Sequence, residues 1–135
     1  MIVLCKSSNR VICIALLLFL AWELTAVAED TQKGRASWYS TKECGGITAS
    51  GKPLNDNALT VAHKKLPFGT IIRVTNLRNN KSVVVTVVDR GPFKKGRIVD
   101  LTRFAFSQIA PLKEGVVPIQ MEVVLLGKGK VVNRS

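Results

Sequence analysis

Histidine, cysteine and tyrosine are scarce in this chain, and each shortage removes a class of chemistry. Its 135 residues include one His, one Tyr and three Cys. Cys5 and Cys13 fall in an apolar leader, so the rest of the chain keeps only Cys44. One cysteine makes no internal disulfide, and one Cys with one His cannot assemble a usual four-ligand zinc site. No metal and no cofactor is therefore expected. The sequence also lacks a glycine-rich phosphate loop and a Gly-x-Ser-x-Gly elbow, which sets aside nucleotide-phosphate enzymes and α/β-hydrolases. Cys44 with His63 is a weak candidate thiol nucleophile pair, because a reactive thiol needs a low-pKa setting. The plainer reading of Cys44 is a loop thiol that allows a disulfide-linked dimer. There is no internal repeat and no low-complexity linker, and the length fits one domain plus a targeting segment.

Acidic residues are few as well: nine Asp and Glu stand against twenty Lys and Arg, a formal net charge of +11. Such a balance points to an anionic partner without naming it. Residues 1–28 read as a cleavable signal peptide, with Lys6 and Arg10 before the apolar run Val11 to Leu20 and a small-residue cleavage site at Ala26-Val27-Ala28. Glu23 interrupts the run before it reaches the roughly 20 apolar residues of a membrane span. The rival is an uncleaved N-terminal anchor. No cysteine follows the run in a lipid-attachment context, so a lipoprotein is not expected. An exported product, periplasmic or secreted, has no integral membrane segment after cleavage and no nucleic acid to meet. The wall polymer, with its lactyl and peptide carboxylates, is the natural anionic partner.

Residues 29–33 form a polar lead-in, 34–126 the domain, and 127–135 a glycine- and lysine-rich tail. The domain's signals are mostly β. Arg35 to Tyr39 suits a first strand, and Ala58 to Ala62 is a short apolar piece ending at His63. Thr70 to Thr75 and Ser82 to Val88 flank the turn signal Asn79-Asn80 and read as a hairpin. The apolarity of Val83 to Val88, interrupted only by Thr86, predicts a strand covered on both faces. Asp89-Arg90-Gly91-Pro92 stops it. Extended structure resumes at Ile98-Val99, and Thr102 can cap a short helix running to about Ala110, with Phe104, Ala105 and Ile109 on its core side. Ile119 to Leu126 is the last strand, with Pro118 at its entry. Short strands, one short helix and glycine-bearing turns predict an all-β fold, a compact closed barrel.

Three polar residues interrupt apolar contexts. Asp89 follows a run of valines, Asp100 sits between Val99 and Leu101, and His63 follows Leu59-Thr60-Val61-Ala62. A carboxyl group part-buried at a barrel rim has its pKa raised toward the range of a general acid. Each has a structural alternative. Asp89 could bind the amides of the turn after it or pair with Arg90 or Arg97, Asp100 could cap the helix, and His63 could be a satisfied edge residue.

The segments GRASWYS, TASGKPLNDNALTVAHKKLPFGTIIRVTNL and SVVVTVVDRGPFKKGRIVDLT together resemble the rare lipoprotein A (RlpA) family over about Gly34 to Leu125. That resemblance implies a six-stranded double-psi β-barrel, a fold shared with expansins. It also implies an endolytic lytic transglycosylase acting on peptidoglycan glycan strands poor in stem peptides, at septa during cell separation, with septal or divisome proteins as partners. On the family's motifs, Asp89, His63 and Asp100 fall at the catalytic positions. Asp89, with the best family match and the most apolar approach, is assigned the acid/base role. His63 would hydrogen-bond or polarise it, and Asp100 would orient substrate or stabilise charge at the anomeric carbon. Tyr39, Thr48, Asn55, Arg90 and Arg97 are the candidate substrate-binding residues, while Trp38 of the same A-S-W-Y motif is expected to pack. Better-known members carry an acid where this chain has Lys52, and Asn55 takes the second polar position. That departure keeps two alternatives open: a non-catalytic, expansin-like wall-binding module, and an exported barrel that binds another protein.

Overall fold

The computed structural model describes residues 31–128. The segment expected as a signal peptide, and the tail beyond residue 128, lie outside the described residues. Six strands are joined in the order β1 (Thr31–Tyr39), β2 (Thr60–His63), β3 (Ile71–Asn76), β4 (Ser82–Asp89), β5 (Arg97–Thr102) and β6 (Val116–Leu125). They close into a barrel with the neighbour order β1-β5-β2-β4-β3-β6. β1/β5 and β2/β4 are parallel, and the other four pairings are antiparallel. The parallel pairs need long crossovers, which carry the loops and helices. No helix among the described residues is long and apolar enough to cross a membrane.

The hairpin forms where the turn signal stood, with Val74 opposite Val83 and Ile72 opposite Val85. Asn80 takes a left-handed φ of 58° in its turn, a conformation asparagine tolerates better than most residues. Inward side chains from all six strands, among them Ala36, Val61, Ile72, Val87, Leu101 and Ile119, fill one core. A fully buried leucine or isoleucine stabilises such a core by roughly 1.5–3 kcal/mol.

Several expectations are corrected. β4 is not covered on both faces: Val83, Val85 and Val87 are buried, but Val84 is 45% exposed. A branched Cβ favours strand on either face, so the β-branched run reported strand propensity and not two-sided burial. β1 starts at Thr31, taking in part of the expected lead-in, and pairs with β6 from that point. β6 starts at Val116, so Pro118 lies within it. The expected helix is α2 (Arg103–Ser107), shorter than predicted, with the Thr102 hydroxyl accepting from the Ala105 N–H as N-cap. Ala105 and Ile109 face the core with Phe106, while Phe104 is 42% exposed. A second one-turn helix, α1 (Thr41–Cys44), was not expected. It is held by Asp56, whose carboxylate accepts from the Thr41 N–H at 2.9 Å and from its hydroxyl at 3.1 Å. A 3-10 turn, Leu112–Glu114, leads into β6. Its Leu112 carbonyl accepts from the Trp38 indole N–H at 3.1 Å, so Trp38 packs on the barrel, as expected.

Candidate active site

Paired residues on adjacent strands point their side chains to the same face of the sheet. Ser37 on β1 pairs with Asp100 on β5, Asp100 pairs with Ala62 on β2, and Ala62 pairs with Asp89 at the end of β4. Ser37, Asp100, Ala62 and Asp89 thus form a row across four neighbouring strands. At about 4.8 Å per strand step, the backbones of the two aspartates stand roughly 10 Å apart across Ala62. Ala62, between them, is buried. It packs with Tyr39 and Leu54 in a small apolar cluster separate from the core.

Asp100 is part-buried. The Ser37 hydroxyl donates to its Oδ1, and Arg97 in turn donates to the Ser37 oxygen at 3.4 Å. Burial raises the Asp100 pKa above the ordinary carboxylate value. The Ser37 hydrogen bond and the charges of Arg97 and Lys94 oppose that rise, and the neighbouring charge of Asp89 adds to it. Asp89 is tied differently: its Oδ1 accepts from the N–H groups of Ala49 and Arg90, each at 2.8 Å. This contact brings the loop Ile47–Pro53 onto the rim. Among the described residues neither aspartate forms a salt bridge.

Tyr39 is buried beside them, its hydroxyl facing Asp89 without a hydrogen bond of ordinary geometry among the described residues. Burial, then the charge of Asp89, pushes its phenol far above the usual value, so it stays a neutral donor. Cys44 is exposed nearby, and its thiol is pushed up by burial and by Asp89. It is thus no activated nucleophile. Between the aspartates the chain turns at Gly91, with φ 126°, where a Cβ would come within 4.0 Å of Asp100 Oδ2. The loop then presents Phe93, which is 86% exposed.

The other sequence-predicted residues lie as follows. His63 does not reach Asp89. It pairs with Val99, two residues from the Val61–Leu101 pair, so its ring shares the inward face and points away from the aspartate row. Its Nδ1 accepts from the N–H groups of Lys65 at 3.1 Å and Leu66 at 3.0 Å. Burial and the charges of Arg90, Lys64 and Lys65 lower its pKa to about 4. The Thr48 hydroxyl is buried and engaged with Ser50 Oγ and the Lys52 carbonyl, both at 2.8 Å, so it shapes the loop. Asn55 is exposed, its Oδ1 accepting from the Asn57 N–H at 2.9 Å. Arg90 clamps the loop after β2, donating to the carbonyls of His63 and Leu66 and lying 4.0 Å over the Phe68 ring. Arg97 alone of the two arginines reaches the aspartate row. No group of three His, Cys, Asp or Glu among the described residues is placed to hold a metal ion.

Ser37 and Phe93 are the residues that reading the sequence missed. Ser37 lay inside the quoted A-S-W-Y motif, and its register opposite Asp100 was invisible there. Phe93 had a visible signal: an aromatic set between Gly91-Pro92 and Lys94-Lys95 belongs to no apolar period.

A family model described as lytic transglycolase matches residues 31–121, from the start of β1 into β6 and across the aspartate row. The chain belongs to this family. Relatives of the lytic transglycolase barrel carry the name endolytic peptidoglycan transglycosylase RlpA. The Campylobacter jejuni protein is 49% identical over 98 residues, 73% of this chain and 36% of its own length. The Neisseria meningitidis protein is 42% identical over 102 residues, 76% of this chain and 43% of its own length. The chain therefore spans less than half of these curated relatives. Among solved structures, Streptomyces papain inhibitor aligns with TM-score 0.60 and 26% identity, covering 73% of this chain and 98% of that one. The apo expansin of Clavibacter michiganensis aligns at 0.57 and 26%, covering 73% and 52%. The barrel is an RlpA-like double-psi β-barrel of mixed strands.

Proposed function

We propose that this chain is an endolytic peptidoglycan lytic transglycosylase that cuts between N-acetylmuramic acid and N-acetylglucosamine to leave anhydromuramyl ends. The observation that carries the reading is the row of two part-buried aspartates on one face of a barrel whose relatives bear that name. The acid/base role moves from Asp89 to Asp100. Asp100 has the raised pKa, and the Ser37 hydroxyl occupies its Oδ1, which leaves Oδ2 to carry the proton. Neutral Asp100 donates that proton to the bridging oxygen as the anomeric C–O bond breaks. The muramyl hydroxymethyl oxygen attacks the anomeric carbon, and the Asp100 carboxylate takes up its proton. No water is consumed, and holding both reacting atoms in one sugar gains from proximity. The Asp89 carboxylate, fixed by two backbone N–H groups, faces the positive charge that develops on the sugar.

Around them, Asn55 supplies an exposed amide and Phe93 an aromatic face for a sugar ring, while the buried Tyr39 phenol backs Asp89. Arg97 positions Ser37 and so Asp100. Export past the inner membrane through the leader, and septal partners, belong to the same reading.

The test is chemical. Purified protein is incubated with peptide-free glycan strands, and anhydromuramyl fragments are sought by mass spectrometry. Retention on sacculi without such fragments would establish the wall-binding module instead. The second reading, a barrel that binds a protein, is favoured by one observation: the likeness to the papain inhibitor over nearly all of that chain. It predicts saturable binding to a protein and no affinity for sacculi.

A further inference from the structure

A hollow open to solvent, about 180 Å³ in volume, is lined by Gln32 on β1, His63 at the end of β2, Lys64, Lys65, and Ile98 on β5. The imidazole that enters it is fixed. Its Nδ1 accepts from two backbone N–H groups, so the ring proton sits on Nε2, and Nε2–H is the donor left for the hollow. The loop that supplies those N–H groups is itself pinned by Arg90, through the carbonyls of His63 and Leu66 and the Phe68 ring. A donor aimed by so many contacts costs little to orient when a ligand arrives.

The lining chooses the ligand's charge and shape. No acidic side chain lines the hollow, two lysines do, and neither lysine is in a salt bridge among the described residues. A negatively charged acceptor therefore gains a charge-assisted hydrogen bond from Nε2–H together with ammonium countercharge. Ile98 offers an apolar wall beside that donor, which suits a hydrocarbon stem and gives nothing to a bare inorganic anion. The volume admits a carboxylate on a short carbon chain.

We propose that this hollow is a binding site for a small aliphatic carboxylate, with His63 Nε2–H donating to one oxygen, Lys64 and Lys65 neutralising the charge, and Ile98 covering the stem. The site is separate from the aspartate row, since none of Ser37, Asp89 and Asp100 lines it. The inference does not depend on what that row does.

His63 is the chain's one histidine, so its ring gives a single reporter signal. The purified protein is titrated at pH 7 and constant ionic strength with sodium propionate, sodium phosphate or sodium chloride, and the His63 Cε1–H resonance is followed by NMR. A saturating shift with propionate is expected, with no saturation by chloride. The double variant Lys64→Ala/Lys65→Ala, which removes two exposed charges, should bind propionate about five- to tenfold more weakly. Absence of a saturating propionate shift would assign His63 to holding the loop alone and overturn the proposal. So would tighter binding of phosphate than of propionate, or undiminished affinity in the double variant.

Discussion

Replacing Asp100 by asparagine separates its cost to the fold from its use in chemistry. The substitution is isosteric, and the Ser37 hydroxyl can still donate to the amide oxygen, so the β1/β5 pairing is retained. What disappears is the proton and the charge. General acid–base catalysis is worth roughly 10²–10⁴-fold, so release of anhydromuramyl ends should fall by about that factor. Stability should move the other way, and in a pH-dependent manner. Burial raises the folded-state pKa of Asp100 above its ordinary 3.8. Between those two pKa values the unfolded chain has already lost a proton that the folded chain keeps. Stability from this group is therefore present at low pH and lost as pH rises through the folded pKa. Asparagine has no such loss. The difference in melting temperature, variant minus wild type, should lie near zero at pH 4 and be positive at pH 7–8. Each kcal/mol reads as about 4–8 °C in a domain of this size. Thermal unfolding at both pH values and mass spectrometry of digested glycan are the assays. Wild-type cleavage by the variant would remove Asp100 as the acid. A stability difference that is equal at both pH values, or negative at neutral pH, would refute the account of its burial.

Asp89→Asn keeps an acceptor for the Ala49 and Arg90 N–H groups but loses the charge; cleavage should drop roughly 10²–10³-fold while circular dichroism stays unchanged, and an active variant would exclude electrostatic stabilisation from this position. His63 has a folded pKa of about 4 against 6.5 when free, so wild-type stability should fall, by at most about 3 kcal/mol, as pH drops from 6.5 toward 4. In His63→Asn that fall toward low pH should be lost in urea titrations at pH 4.5 and 7, leaving the opposite trend from Asp100, and a fall that persists would place the titrating group elsewhere. Phe93→Ala should leave stability within about 0.5 kcal/mol, because the ring is exposed, yet weaken binding to glycan strands about five- to tenfold in sedimentation with sacculi. Unchanged retention would mean that the ring touches no sugar.

Much of the barrel was legible in the chain because its strands are written in local preferences. Val and Ile runs, the Asn79-Asn80 turn, the stop at Gly91-Pro92 and the Thr102 cap each act over a few residues. The errors arose where propensity and burial part company. Val84 has the right residue type for a strand and the wrong face for the core, and Phe104 and Phe106 are too close in sequence for composition to say which one turns inward. Asp89 and Asp100 stood out because a charge amid valine and leucine must either be satisfied or serve a function. Their motifs also carried the family, which the match over residues 31–121 then showed.

Which groups meet was settled only by tertiary pairing. β1 reaches β5, and β2 reaches β4, through parallel crossovers that no local pattern specifies, so Ser37 meets Asp100 although 63 positions separate them. The same pairing separates Ala62, in the aspartate row, from His63, on the inward face, because successive side chains of a strand point to opposite sides. Residue types along the chain thus determined a barrel and a short set of candidate polar groups. The closed register decided that two carboxyl groups and a serine share one face while the histidine serves another.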